Sequence, residues 1–154
     1  HDNSDAIENL LSANANVNAT TDLGVTPLWL AAENGNSDAV DILLAAGADP
    51  RIQLLSGETA IMTAAQAGNG DVVRSLLRAG GDPNISVTRE QTALMWAAAR
   101  GHASVVEALL EYGADVEAIS LVREQYVKSE KEQDSHPSYK YWIEQGGNNL
   151  SIKS

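Results

Sequence analysis

Apolar and small positions recur along this chain with a fixed period of thirty-three residues. The stretch Thr26-Pro27-Leu28-Trp29-Leu30-Ala31-Ala32-Glu33-Asn34-Gly35 returns as Thr59-Ala60-Ile61-Met62-Thr63-Ala64-Ala65-Gln66-Ala67-Gly68. It returns again as Thr92-Ala93-Leu94-Met95-Trp96-Ala97-Ala98-Ala99-Arg100-Gly101. Behind each copy a second apolar set keeps the register: Val40, Leu43 and Leu44, then Val73, Leu76 and Leu77, then Val106, Leu109 and Leu110. Their i, i+3, i+4 spacing describes one buried face of a helix. The pattern predicts helix pairs near 25–35 with 37–46, 58–68 with 70–79, and 91–101 with 103–112, plus one unpaired helix near 4–13. A repeat of this length reads as a stack of identical units, each burying its apolar face against the next.

Local chemistry agrees with those boundaries. Thr26, Thr59 and Thr92 stand where a hydroxyl would accept from free N–H groups of a first helical turn. Pro27 follows at a position where its missing donor is no loss. Gly35, Gly68 and Gly101 should end the first helices, and Gly47, Gly80 and Gly113 the second. Asn14 takes the last of these columns in the incomplete first unit, as the next residue able to adopt a left-handed conformation. The Ala-Ala pairs at 31–32, 64–65 and 97–98 let neighbouring helices approach closely, so a large residue there would overpack the stack.

The order Thr-Pro/Ala-Leu/Ile-x-x-Ala-Ala, the closing Gly-Ala-Asp of 47–49 and 113–115, and the thirty-three-residue period together resemble the ankyrin repeat. The resemblance covers residues 1–120 and implies an all-α, ankyrin-type helix-turn-helix solenoid with hairpin-like loops between units. Residues 1–19 align with the second half of a unit, and full repeats fall at about 20–52, 53–85 and 86–118. The first helix of the initial unit is absent from the sequence, which reads as a cut edge, with Ile7, Leu10 and Leu11 packing forward. After Ser120 the register breaks, since Arg123 and Gln125 replace the expected Gly and Thr. Residues 119–154 read as the start of a further unit interrupted by a polar, aromatic-containing insertion or tail. It holds Tyr126, Tyr139, Tyr141 and Trp142, with Tyr139, Trp142 and Ile143 at helical spacing.

Charge narrows the partners. The chain carries a net −11, all of it in residues 1–120, which hold sixteen Asp and Glu against five Arg and no Lys. An acidic array repels phosphate backbones, which argues against nucleic acid and favours a neutral or basic protein surface. No apolar run reaches the roughly 18 residues of a membrane span, and no signal peptide stands in these residues, so the reading is of a soluble chain with no membrane insertion and an unassigned compartment. The absence of cysteine excludes thiolate zinc, disulfides and cysteine nucleophiles.

Catalytic motifs do not emerge, and no cofactor, metal ligand set or catalytic residue is expected. His102 has no plausible catalytic partner, and no phosphate-binding glycine loop occurs. The recurrent Asp49, Asp82 and Asp115 belong to the loop motif and read as loop-stabilising. Trp29, Met62 and Met95 replace the His of the family's T-P-L-H motif, so apolar packing should replace its hydrogen bonds. The sequons at Asn18 and Asn84 coincide with hairpin positions where the family favours Asn; a third lies at Asn149.

What the resemblance implies for function is recognition of another protein by a non-catalytic scaffold, through hairpin tips and first-helix ends. The alternatives are a regulatory or targeting segment of a larger enzyme, and a purely structural spacer. Carried over by column, the partner-binding positions are Asp22, Leu23, Glu33, Gln53, Leu54, Leu55, Gln66, Val87, Arg89, Ala99 and Arg100. Leu54-Leu55 departs most from the pattern: either the pair is an exposed apolar anchor, or it packs on a neighbouring hairpin or on the aromatic segment. Arg89 and Arg100 have no evident duty to the fold and complete the expected hot spot.

Overall fold

The computed structural model describes residues 2–87 and 91–117, nearly all within one compact unit, His1–Val116. The expectations for 119–154 and for Arg89 lie outside the described residues.

Two layers of helices make up the array. The first helices α2 (Pro27–Glu33), α4 (Ala60–Ala67) and α6 (Ala93–Arg100) stack in sequence, α2 on α4 and α4 on α6. The second helices α1 (Asp2–Ser12), α3 (Ser37–Ala45), α5 (Gly70–Arg78) and α7 (Ala103–Glu111) form the other layer. Within each full unit the two helices pack as a pair. These helices run 7 to 11 residues, too short to persist alone, so stacking rather than propensity holds them.

The threonine caps form as expected. Their hydroxyls accept from the N–H groups of Trp29, Met62 and Met95 at 3.0, 3.3 and 3.4 Å, and all three threonines are buried. At the other end of α4, Gly68 takes φ 81°. A side chain there would be strained by that backbone and would also collide with the His102 ring, which lies 2.8 Å from where a Cβ would stand. Asn14 is the one non-glycine residue with positive φ, 60°, among the described residues.

The core is narrow and built of small residues. Leu28, Ile61 and Leu94 recur in the first layer, and Val40, Val73, Leu76 and Leu109 in the second, all buried. Ala32, Ala64, Ala65 and Ala97 have no exposed surface, whereas Ala98 is exposed because no described helix stacks on that side of α6. The expectation of one uniformly buried Leu-Leu face holds only in α5, where Leu77 is 4% exposed. Leu44 is half-buried, and Leu110, in the last described helix, is 44% exposed. Met62 is fully buried in the column of the missing histidine, while Trp29 is half-buried with its indole Nε1 unpartnered.

At the amino end α1 packs on α3, and among the described residues no first helix lies beside it. A groove of about 540 Å³ between α1 and α2, bordered by Ile7, Leu10, Leu30 and Ala31, takes the place where the other units have one.

Candidate functional site

Each unit boundary projects a hairpin, and three follow one another along the array. In the first, Thr21 N–H donates to Val25 C=O at 3.1 Å, and the Thr21 hydroxyl accepts from the N–H groups of Leu23 and Val25. This places Leu23 at the tip. In the second, Leu54 N–H donates to Glu58 C=O at 2.9 Å, Gln53 faces Thr59, and Ser56 donates to the Glu58 carboxylate at 3.2 Å. The third is a two-stranded ladder, β1 (Ser86–Val87) with β2 (Gln91–Thr92), pairing Ser86 with Thr92 and Val87 with Gln91.

Adjacent hairpins touch. Leu55 N–H donates to Leu23 C=O at 3.0 Å. Gly24 allows the approach, since a Cβ on it would stand 3.0 Å from the Gln53 carbonyl and 3.2 Å from the Leu54 Cα. The two leucines of the second tip therefore divide: Leu54 is half-buried at the neighbouring hairpin, and Leu55 is 78% exposed. Leu23 is 67% exposed, so the two residues whose backbones join the tips both carry a large apolar side chain exposed to solvent. Val87 is half-buried, with Cγ1 3.6 Å from where a Gly57 Cβ would stand, which continues the row to the third hairpin. Asp22 is exposed and Glu58 half-buried beside the leucines, and the described hairpin residues include no Lys or Arg.

The first-helix ends form a second group. Arg100 lies with its guanidinium carbon 5.9 Å from the Trp96 ring centroid, and its Nη1 donates to Gln66 C=O at 3.3 Å. His102 Nε2 approaches the same carbonyl at 3.2 Å. The Arg100 guanidinium thus meets the carboxyl end of α4, where the helix dipole favours positive charge, and the His102 ring approaches the same carbonyl. Arg100 does have a duty to the fold, contrary to expectation, and the Trp96 ring beneath it was the signal four residues upstream. Glu33, Ala99 and Gln53 are exposed, and Gln66 is half-buried. No hydrogen bond or ion pair among the described residues joins the hairpin group to the helix-end group.

Two polar features were not foreseen. Asn18 and Asn84 each bridge one unit's closing loop to the next through both ends of the side-chain amide. Asp49 is clasped by Arg51, with Nε at 2.9 Å; the side-chain hydrogen bond, then that from the Arg51 backbone N–H, hold its carboxyl below the usual aspartate range. Among the described residues no group of three His, Asp or Glu side chains comes together as a metal site, and no helix is long and apolar enough to cross a membrane.

No curated protein sequence matches this chain. A family model described as "Ankyrin repeats (3 copies)" matches residues 1–87 and 29–120. Those matches span the half unit and all three full repeats, the same residues whose helix pairs stack as described, and the chain belongs to the ankyrin repeat family.

Proposed function

We propose that this array is a non-catalytic recognition module that binds a neutral or basic protein surface across its hairpin tips and first-helix ends. Ankyrin repeats are in general protein–protein interaction modules, which sets the class. The observation that carries the finer reading is the pair Leu23 and Leu55, exposed on successive tips and joined through their backbones. Stacking requires neither side chain, and an exposed apolar pair rimmed by polar residues is what a binding anchor needs. Asp22, Gln53 and Glu58 supply that rim, Leu54 and Val87 are the half-buried apolar residues of the second and third hairpins, and Arg89 belongs to the third tip by column. Glu33, Gln66, Ala99 and Arg100 form the outer border of the surface.

The test is a double variant, Leu23→Ser with Leu55→Ser. Its melting temperature should stay within about 2 °C of the parent, since exposed substitutions usually change stability by less than about 0.5 kcal/mol. Binding of the native partner should fall at least about tenfold, the loss expected when interface anchors are truncated. Unchanged affinity in a folded double variant would place the binding surface elsewhere.

A further inference from the structure

Two asparagines make the same bridge. Asn18 Nδ2 donates to Gly47 C=O at 3.3 Å, and its Oδ1 accepts from Asp49 N–H at 2.9 Å. Asn84 repeats this with Gly113 C=O at 3.1 Å and Asp115 N–H at 2.7 Å. A carboxamide can do so because it carries both a donor and an acceptor. Each bridge clamps the loop that closes one unit to the loop that closes the next.

The position between them in register is Arg51. A guanidinium has donors only, so it cannot accept from a backbone N–H. Arg51 turns back onto its own loop instead, with Nε and Nη2 at 2.9 and 3.2 Å from the Asp49 carboxylate. No side chain among the described residues takes the place of the clamp at Gly80 C=O and Asp82 N–H, and Asp82 bonds only within its own loop, accepting from Asn84 N–H at 2.8 Å.

Other features of the same boundary agree. A cleft of about 670 Å³ reaches this boundary, lined by Leu44, Arg51, Ala79 and Gly80, and extends to Asn18 and Gly47 of the clamped boundary before it. Leu44 on its wall is half-buried, whereas Leu77 at the next boundary, which Asn84 closes, is 4% exposed. At the opposite edge, however, this boundary is tied by the bond from Leu55 N–H to Leu23 C=O.

We propose that the boundary between units 20–52 and 53–85 is the flexing joint of the array. It is fastened at the hairpin tips and unfastened at the loop base. It therefore opens on the second-helix side, α5 tilting from α3 about the Leu23–Leu55 bond. The blocks on either side, each clamped by an asparagine, move as rigid pieces.

The chain has no cysteine, so nitroxide pairs can be installed cleanly. One pair, Ala46→Cys with Ala79→Cys, crosses the joint; the other, Ala79→Cys with Tyr112→Cys, crosses the clamped boundary at the equivalent exposed helix ends. Dipolar broadening should give a wider distance distribution for the first pair. Adding Arg51→Asn should narrow it to that of the second, and Asn84→Ala should widen the second. In hydrogen exchange, Asp82 N–H should be at least about tenfold less protected than Asp49 and Asp115 N–H, the contrast between an open and a closed local state. Equal distributions for the two unmodified pairs would overturn the joint, as would Asp82 protection equal to that of its counterparts. Both measurements on the parent loops stand even where Arg51→Asn fails to fold.

Discussion

Asp49 shows how much a single contact governs at the residue scale. Its carboxyl is held below the ordinary range chiefly by the side-chain bond from Arg51, with the Arg51 N–H second. A depressed carboxylate stabilises the fold above its unfolded pKa and loses that contribution as pH falls through its folded value. The pair is exposed, so the stabilisation is small. In Arg51→Asn, the Asp49 carboxyl titration followed by NMR should move up toward the usual aspartate range; an unmoved titration would mean the Arg51 side chain is not the cause. A buried contact behaves differently. Ala65 has no exposed surface between stacked first helices, so Ala65→Leu should destabilise the array by about 1–3 kcal/mol. Exposed Glu33→Ala should change stability by less than about 0.5 kcal/mol. Thermal melts that rank the two in the other order would contradict the packing. The amide nitrogens of Asn18 and Asn84, which a glycan at either sequon would need, are already donors in the loop bridges.

For the elements, the decisive variable is how many neighbours each helix has. Among the described residues helix α1 packs chiefly on α3, and Leu10 is 61% exposed, whereas α5 packs on α3, α4 and α7. Stability in a repeat array is close to a sum of unit and interface terms. Amides of 4–12 should therefore exchange well before those of 71–78, and equal protection would show that α1 gains support from elsewhere. Thr59→Ala removes the cap of α4 and should lower stability by about 1 kcal/mol. These elements were legible in the sequence because stacking imposes the same residue on the same column three times. Thr, the Ala-Ala pair and the closing Gly each have one physical reason that recurs every unit. The surface was less legible because nothing there repeats. Leu54 and Leu55 are identical as residues, and only the placed hairpins, with Gly24 close against the Leu54 backbone, show that Leu54 is half-buried and Leu55 exposed. Arg100 looked free because its hydrogen-bond partner is a backbone carbonyl thirty-four residues upstream, and the sequence offered only Trp96, four residues before it, as a sign of its role. The Asn-Arg-Asn alternation at 18, 51 and 84 stood in plain view, but its meaning required the loops to be placed side by side.

Over the whole molecule, charge and topology act together. Sixteen acidic residues against five arginines in 1–120 predict that binding of a basic partner weakens as ionic strength rises through about 0.15 M, where charges are screened beyond about 8 Å. Salt-independent affinity would leave Leu23 and Leu55 as the main source of binding. The unclamped boundary also divides the array optically. Trp29 lies on one side, half-buried and without an indole hydrogen bond; Trp96 lies on the other, beneath a guanidinium. With Trp142 changed to Phe, the emission of each remaining indole belongs to one block. In single-tryptophan versions, denaturant curves followed by Trp29 and by Trp96 should separate, so the array carries its own pair of lamps for watching one half dim before the other.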